Sequence, residues 1–183
     1  MAAVEMVELW RGGLKEGVHG GHAVVWDRGG MVAAWGDPAA VIFPRSSCKM
    51  IQALPLLESG AGAALPARRL ALACASHNGA ALHVGAVGDW LHGLGLAEPD
   101  LRCGAHMPQD PAEHRRLLCS GQPPCQLHNN CSGKHAGFLT WNRHHRGDPD
   151  YHLPDHPLQQ AIATATAEVC GETPSGFGLD GCS

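Results

Sequence analysis

Strand-like segments come first in this chain and helix-like segments follow, with almost no alternation between them. Val4 to Leu9, Ala23 to Trp26 and Met31 to Trp35 are short apolar or alternating runs broken by glycine, the pattern of half-buried strands. Arg28-Gly29-Gly30 supplies the residues for a tight hairpin turn between the last two, because glycine accepts positive φ. Val41 to Phe43 reads as a further short strand that ends at Pro44. From Ser47 to Leu57 the apolar residues Met50, Ile51, Leu54 and Leu57 recur at helical spacing, and Pro55 is expected to kink or end that helix. Further helices are expected from Pro66, running toward Asn78-Gly79, and over Val84 to Leu94, Ala112 to Leu118, Gly133 to Trp141 and Pro157 to Cys170. Strands first and helices afterwards favour an α+β layout over a regularly wound parallel sheet. No repeat or long linker divides the 183 residues, so 1–183 reads as a single domain.

The bulk properties narrow the partners. A net charge of -4 with scattered basic residues offers no face for nucleic acid or an anionic membrane, and a small polar substrate suits it better. Met1 to Trp10 carries Glu5 and Glu8 and lacks the basic start and apolar run of a signal peptide, which points to the cytoplasm. Eight cysteines spread along such a chain are expected to be mostly thiols, with a few available as metal ligands. The three lysines, Lys15, Lys49 and Lys134, are outnumbered by ten arginines. Two of the three fall within motifs, and lysine, unlike arginine, can work as a neutral base when buried.

Ser46 and Lys49 stand three residues apart at the start of the first expected helix, on one face of its first turn. A serine hydroxyl attacks a carbonyl well only when a neighbouring base takes its proton, and a buried lysine is one such base. The free N–H groups of a helix start are expected to steady the oxyanion that forms. Ser47 points elsewhere from that position, and Cys48, a rival nucleophile, is better placed for packing. Ser76 lies in the small and polar run Ala73 to Gly79, from which it can reach a cleft or simply end a helix. Asn129 to His135 is a polar, glycine-containing turn opening a helix; on residue type alone, Cys131, His135 and the later Cys182 are the zinc candidates. Buried structural thiols are the alternative reading there, since no Cys-x-x-Cys pair is present.

Five segments taken together resemble the rhizobial-type asparaginase II family: PRSSCKMIQALPLLESGA (44–61), LACASHNG (72–79), HNNCSGKHAGF (128–138), HPLQQ (156–160) and LDGCS (179–183). That resemblance implies a fold like serine β-lactamases and related glutaminases, with helices packed on an antiparallel sheet. It also implies hydrolysis of L-asparagine to L-aspartate and ammonia. Carried over motif by motif, Ser46 corresponds to the nucleophile or its close partner, Lys49 to its base and Ser76 to a second serine of the same site. Cys131, Lys134 and Cys182 correspond to zinc ligands, which displaces His135 toward substrate contact, beside Arg45 as a fork for the substrate carboxylate. Asp180 falls in the shell around the metal. In that family the second serine pairs with another lysine from a later stretch, which this chain does not contain. It therefore reads as the amino-terminal part of such a protein, with an incomplete sheet, and a homodimer is compatible with it. Two other functions use the same residues: a penicillin-recognising Ser-x-x-Lys acyl enzyme, and an inactive zinc-binding module.

Overall fold

The computed structural model describes residues 2–171, which fall into two compact units, one ending at Phe43 and the other beginning at Pro44. The first unit is built from two antiparallel hairpins. Strand β1 (Val4–Arg11) pairs with β2 (Leu14–Gly21), and β3 (Ala23–Asp27) pairs with β4 (Gly30–Trp35). Arg11 faces Leu14 across a two-residue loop, Gly12-Gly13, whose φ values of 55° and 80° suit glycine best. In the second hairpin Asp27 faces Gly30, and the Asp27 Oδ1 accepts the Gly29 amide at 2.7 Å, pinning the turn at the expected place. Val41 to Phe43 corrects the sequence expectation: it is irregular and exposed, held between Pro38 and Pro44 without a partner strand among the described residues.

The second unit is helical. After a 3-10 turn over Arg45–Cys48 come α1 (Lys49–Gln52) and α2 (Leu54–Glu58), where one helix was expected. The break falls at Ala53 because Pro55 lacks an amide hydrogen and its ring crowds the carbonyl four residues back. Next are α3 (Ala67–Cys74), α4 (Ala81–Gly93), α5 (Pro111–Ser120), α6 (Ser132–His145) and α7 (Pro157–Cys170). Helix α5 shows how local chemistry sets its ends: the Asp110 side chain accepts the Glu113 amide at 2.9 Å, Pro111 occupies the first turn, and Gly121 closes the helix at φ 65°. Helix α3 stops at Cys74, short of Asn78-Gly79, and leaves Ala75 to Ala80 irregular. Hairpin ladders in one unit and helices in the other make the chain α+β.

Helix α6 is the axis of the helical core. Its residues from Ser132 to Asn142 are all buried, against Leu72, Val87, Trp90, Leu91, Tyr151 and Leu158 among others. A helix buried on every side needs its polar groups paired internally. Thr140 donates to the Ala136 carbonyl at 2.8 Å, and the Asn142 amide donates to the Asp148 carbonyl at 2.8 Å. Helix α3 approaches α6 so closely that a Cβ on Gly133 would lie 2.4 Å from the Leu72 carbonyl oxygen, and one on Gly137 would lie 3.2 Å from the Ala73 Cβ. This close approach brings the segment after α3 against the segment before α6. Among the described residues, no helix is long and apolar enough to cross a membrane.

Candidate active site

Two segments that are remote in sequence join at the end of the α3–α6 contact. The His77 amide donates to the Asn130 carbonyl at 3.2 Å, which ties the irregular run after α3 to the turn before α6. Between them enters the Lys49 side chain, from the first residue of α1. Lys49 is only 2% exposed, and its Nζ lies 2.8 Å from the Ala75 carbonyl, 3.3 Å from the Asn130 carbonyl and 3.0 Å from the Ser76 Oγ. An ammonium would spend its three protons on these three oxygens. A neutral amine would place two protons on the carbonyls and turn its lone pair toward the serine hydroxyl.

Ser76 Oγ in turn lies 3.0 Å from Ser46 Oγ and accepts the Asn130 side-chain amide at 2.9 Å. Ser46 and Ser76 are both exposed, whereas Lys49 is buried behind them. The structure therefore brings together Ser46, Lys49 and Ser76, with Ser76 as the hydroxyl that bridges the other two. Spacing in the sequence suggests direct contact between Ser46 and Lys49. The hydrogen bonds of Lys49 instead end on Ser76 and two carbonyls. The neighbouring rivals are engaged with backbone: Ser47 Oγ donates to the Pro44 carbonyl, and Cys48 Sγ donates to the Arg45 carbonyl at 3.0 Å. The expected row of free amides is also altered, because the segment opens as a 3-10 turn and the Ser47 N–H is bonded to the Pro44 carbonyl at 3.2 Å.

Arg45, which precedes Ser46 in the chain, is exposed and holds φ at 52°, a left-handed conformation that is uncommon outside glycine. His135 is 0% exposed; its Nδ1 lies 2.9 Å from the Tyr151 hydroxyl, which also accepts the Arg102 amide at 2.9 Å. That hydroxyl and Phe138 hold the ring in the core, outside the hydrogen-bond network of the two serines. Cys131 caps α6 and Lys134 follows one turn later, 3% and 5% exposed respectively. Cys182 and Asp180 lie outside the described residues. Among the described residues no three His, Cys, Asp or Glu side chains gather as a metal ion would need. Cys131 and Lys134, a buried thiol and a buried amine, are of donor types that zinc accepts.

Two residues that sequence reasoning passed over complete the arrangement. Asn130 uses its side chain on Ser76 and its carbonyl on Lys49, while its own amide donates to the His106 Nε2 at 3.2 Å. His77 fastens the same corner: its Nδ1 accepts the Gly79 amide at 3.1 Å, so its Nε2 donates to Ser132 Oγ at 2.9 Å. Burial foremost, then the positive fields of His83, Lys49 and His106, hold the His77 imidazole down to about 4 from its ordinary 6.5. With the folded value depressed, the stability that neutral His77 contributes is complete above about 6.5 and is lost as the pH falls toward about 4. Thermal unfolding between those limits is expected to show the loss, and His77→Asn to flatten that part of the curve; an unchanged pH dependence in the variant would contradict this. Glu113, held low chiefly by Arg116, adds a separate loss at the acid end.

A buried lysine behind two linked surface hydroxyls is an arrangement in which an amine can serve a serine. The chain belongs to the L-asparaginase II family, whose model matches residues 7–183. Membership gives it an L-asparaginase-like function, that of a hydrolase acting on amides with a small-molecule substrate. No curated protein matches the chain.

Proposed function

We propose that the chain hydrolyses the side-chain amide of L-asparagine through a serine acyl-enzyme, with Ser46 as nucleophile and Lys49 as a base acting through Ser76. The observation that carries this reading is the unbroken path from Ser46 Oγ to Ser76 Oγ to Lys49 Nζ, with 3.0 Å at each step. Ser46 Oγ attacks the side-chain carbonyl carbon; its proton passes to Ser76 Oγ as the Ser76 proton passes to the Lys49 lone pair. When the carbon–nitrogen bond breaks, the proton returns along the same path to the departing ammonia. Water then takes the place of Ser46 and releases L-aspartate. Asn130, donating to Ser76, fixes the oxygen that must both accept and give a proton. Arg45, exposed beside Ser46, is suited to the substrate carboxylate through its planar fork.

Cys131, Lys134 and Cys182 would hold a zinc ion, with Asp180 near them. When bound, the metal would supply a fixed positive charge that helps to orient the polar substrate. The nucleophile itself needs no metal in this scheme, because the serines and Lys49 already form the base path.

Ammonia release from asparagine, measured beside zinc content, tests the proposal. Ser46→Ala is expected to reduce release to background while retaining zinc, and Cys131→Ser to lose the zinc. Near-normal turnover by Ser46→Ala would mean that the nucleophile is another residue. Stoichiometric zinc in the unaltered chain, with no release from asparagine or glutamine, would favour an inactive metal-binding module.

A further inference from the structure

A second nucleophile stands apart from the Ser46 group and shares no residue with it. Cys125 precedes the 3-10 turn Gln126–His128, and this turn folds the His128 ring back over it. Cys125 Sγ lies 3.2 Å from the His128 Nδ1, which also accepts the Cys125 amide at 3.1 Å. On the far side of the ring, His128 Nε2 lies 3.3 Å from Glu113 Oε1. A carboxylate only accepts, so Nε2 carries the ring proton, and the Nδ1 lone pair is shared between the Cys125 amide and the Cys125 thiol. Glu113 is held by Arg116 at 2.7 Å and 3.0 Å, and this pairing keeps it ionised by lowering its proton affinity. His128 and Glu113 are 5% and 6% exposed, while Cys125 is partly exposed and brings the set to the surface.

A nucleophile within hydrogen-bond reach of a base that is itself oriented by a third group is the signature of an activated side chain. We infer that Cys125, His128 and Glu113 form a second nucleophilic site, at which Cys125 reacts preferentially with small soft carbon electrophiles. In the step with iodoacetamide, Sγ bonds to the methylene carbon as the carbon–iodine bond breaks, and iodide leaves with the bonding pair. The thiol proton passes to His128 Nδ1, Glu113 balances the resulting imidazolium, and the proton is then lost to water.

Limiting iodoacetamide added to the full chain, followed by peptide mapping over time, tests the inference. Cys125 is expected to be alkylated about tenfold faster than Cys119 and Cys170, although those two are the more exposed. Glu113→Gln, checked by thermal unfolding to be folded, is expected to bring Cys125 down to the rate of the other two. Equal or slower alkylation of Cys125 in the unaltered chain would overturn the inference, since exposure alone would then set the order. So would an unchanged Cys125 rate in the folded Glu113→Gln variant, which would reduce His128 to a turn-capping group.

Discussion

Ser76→Ala is expected to slow ammonia release from asparagine by about a thousandfold, within the range that a positioned proton-transfer group contributes. The reason is geometric. The hydrogen bonds of Lys49 reach the Ala75 carbonyl, the Asn130 carbonyl and Ser76, and it is Ser76 that lies 3.0 Å from the Ser46 oxygen. Removing that hydroxyl leaves both ends of the path in place and breaks it in the middle. The loss is expected in kcat with KM little changed, because in the proposed path Ser76 moves a proton and does not grip the substrate. A variant within about tenfold of the unaltered rate would show that Lys49 reaches Ser46 directly or that the path is not used. A severe loss in Ser76→Ala with a mild one in Ser46→Ala would exchange the roles of the two serines.

The largest stability effect is expected at Gly133. A Cβ there would meet the Leu72 carbonyl oxygen at 2.4 Å and the Leu72 Cγ at 2.7 Å, and a backbone oxygen within a helix cannot step aside. Gly133→Ala must push α6 away from α3, an overpacking cost of about 3 kcal/mol. For a chain of this size that lowers Tm by about 10 °C. The same displacement would separate Asn130 from Lys49 and Ser76, so activity should fall with stability. Gly85→Ala is the control: it lies in α4 with nothing within 4 Å of the added Cβ, and alanine is the better helix former there. Its Tm should hold or rise slightly, and equal losses in the two variants would contradict the packing argument.

The sequence carried some of these features openly and others not at all. The hairpin at Gly29 is legible because apolar runs flank a glycine turn, whereas β2 is hidden: Leu14–Gly21 contains three glycines and no apolar run. Its pairing follows the Gly12-Gly13 loop and the cross-strand ion pairs of Lys15 with Glu5 and Glu8 and of Glu16 with Arg11. Helix α7 was readable from Pro157 to Cys170 because its buried positions are periodic and its ends are marked. Helix α6 was read too short, since a helix buried all round shows little periodicity and carries His135 and Asn142, whose partners Tyr151 and Asp148 lie outside it. Val41 to Phe43 misled by composition: three apolar residues make a strand only where another strand offers hydrogen bonds.

At the site, the Ser-x-x-Lys spacing pointed to two side chains that share one hydrogen-bond network, although they meet through Ser76 and not directly. The bridging position of Ser76 was not legible, since it depends on how closely α3 meets α6. The same holds for Asn130, whose side chain and carbonyl serve two partners at once. Cys125 and His128 carried a usable signal in their three-residue separation. Glu113, which completes that set, comes from another helix and leaves no local mark.

Peptide mapping of the protein quenched in acid during turnover of asparagine bears most directly on how the amide is opened. The mechanism places an aspartyl ester on Ser46 and nowhere else. The same acyl group found on Ser76, or on any other residue, would contradict it.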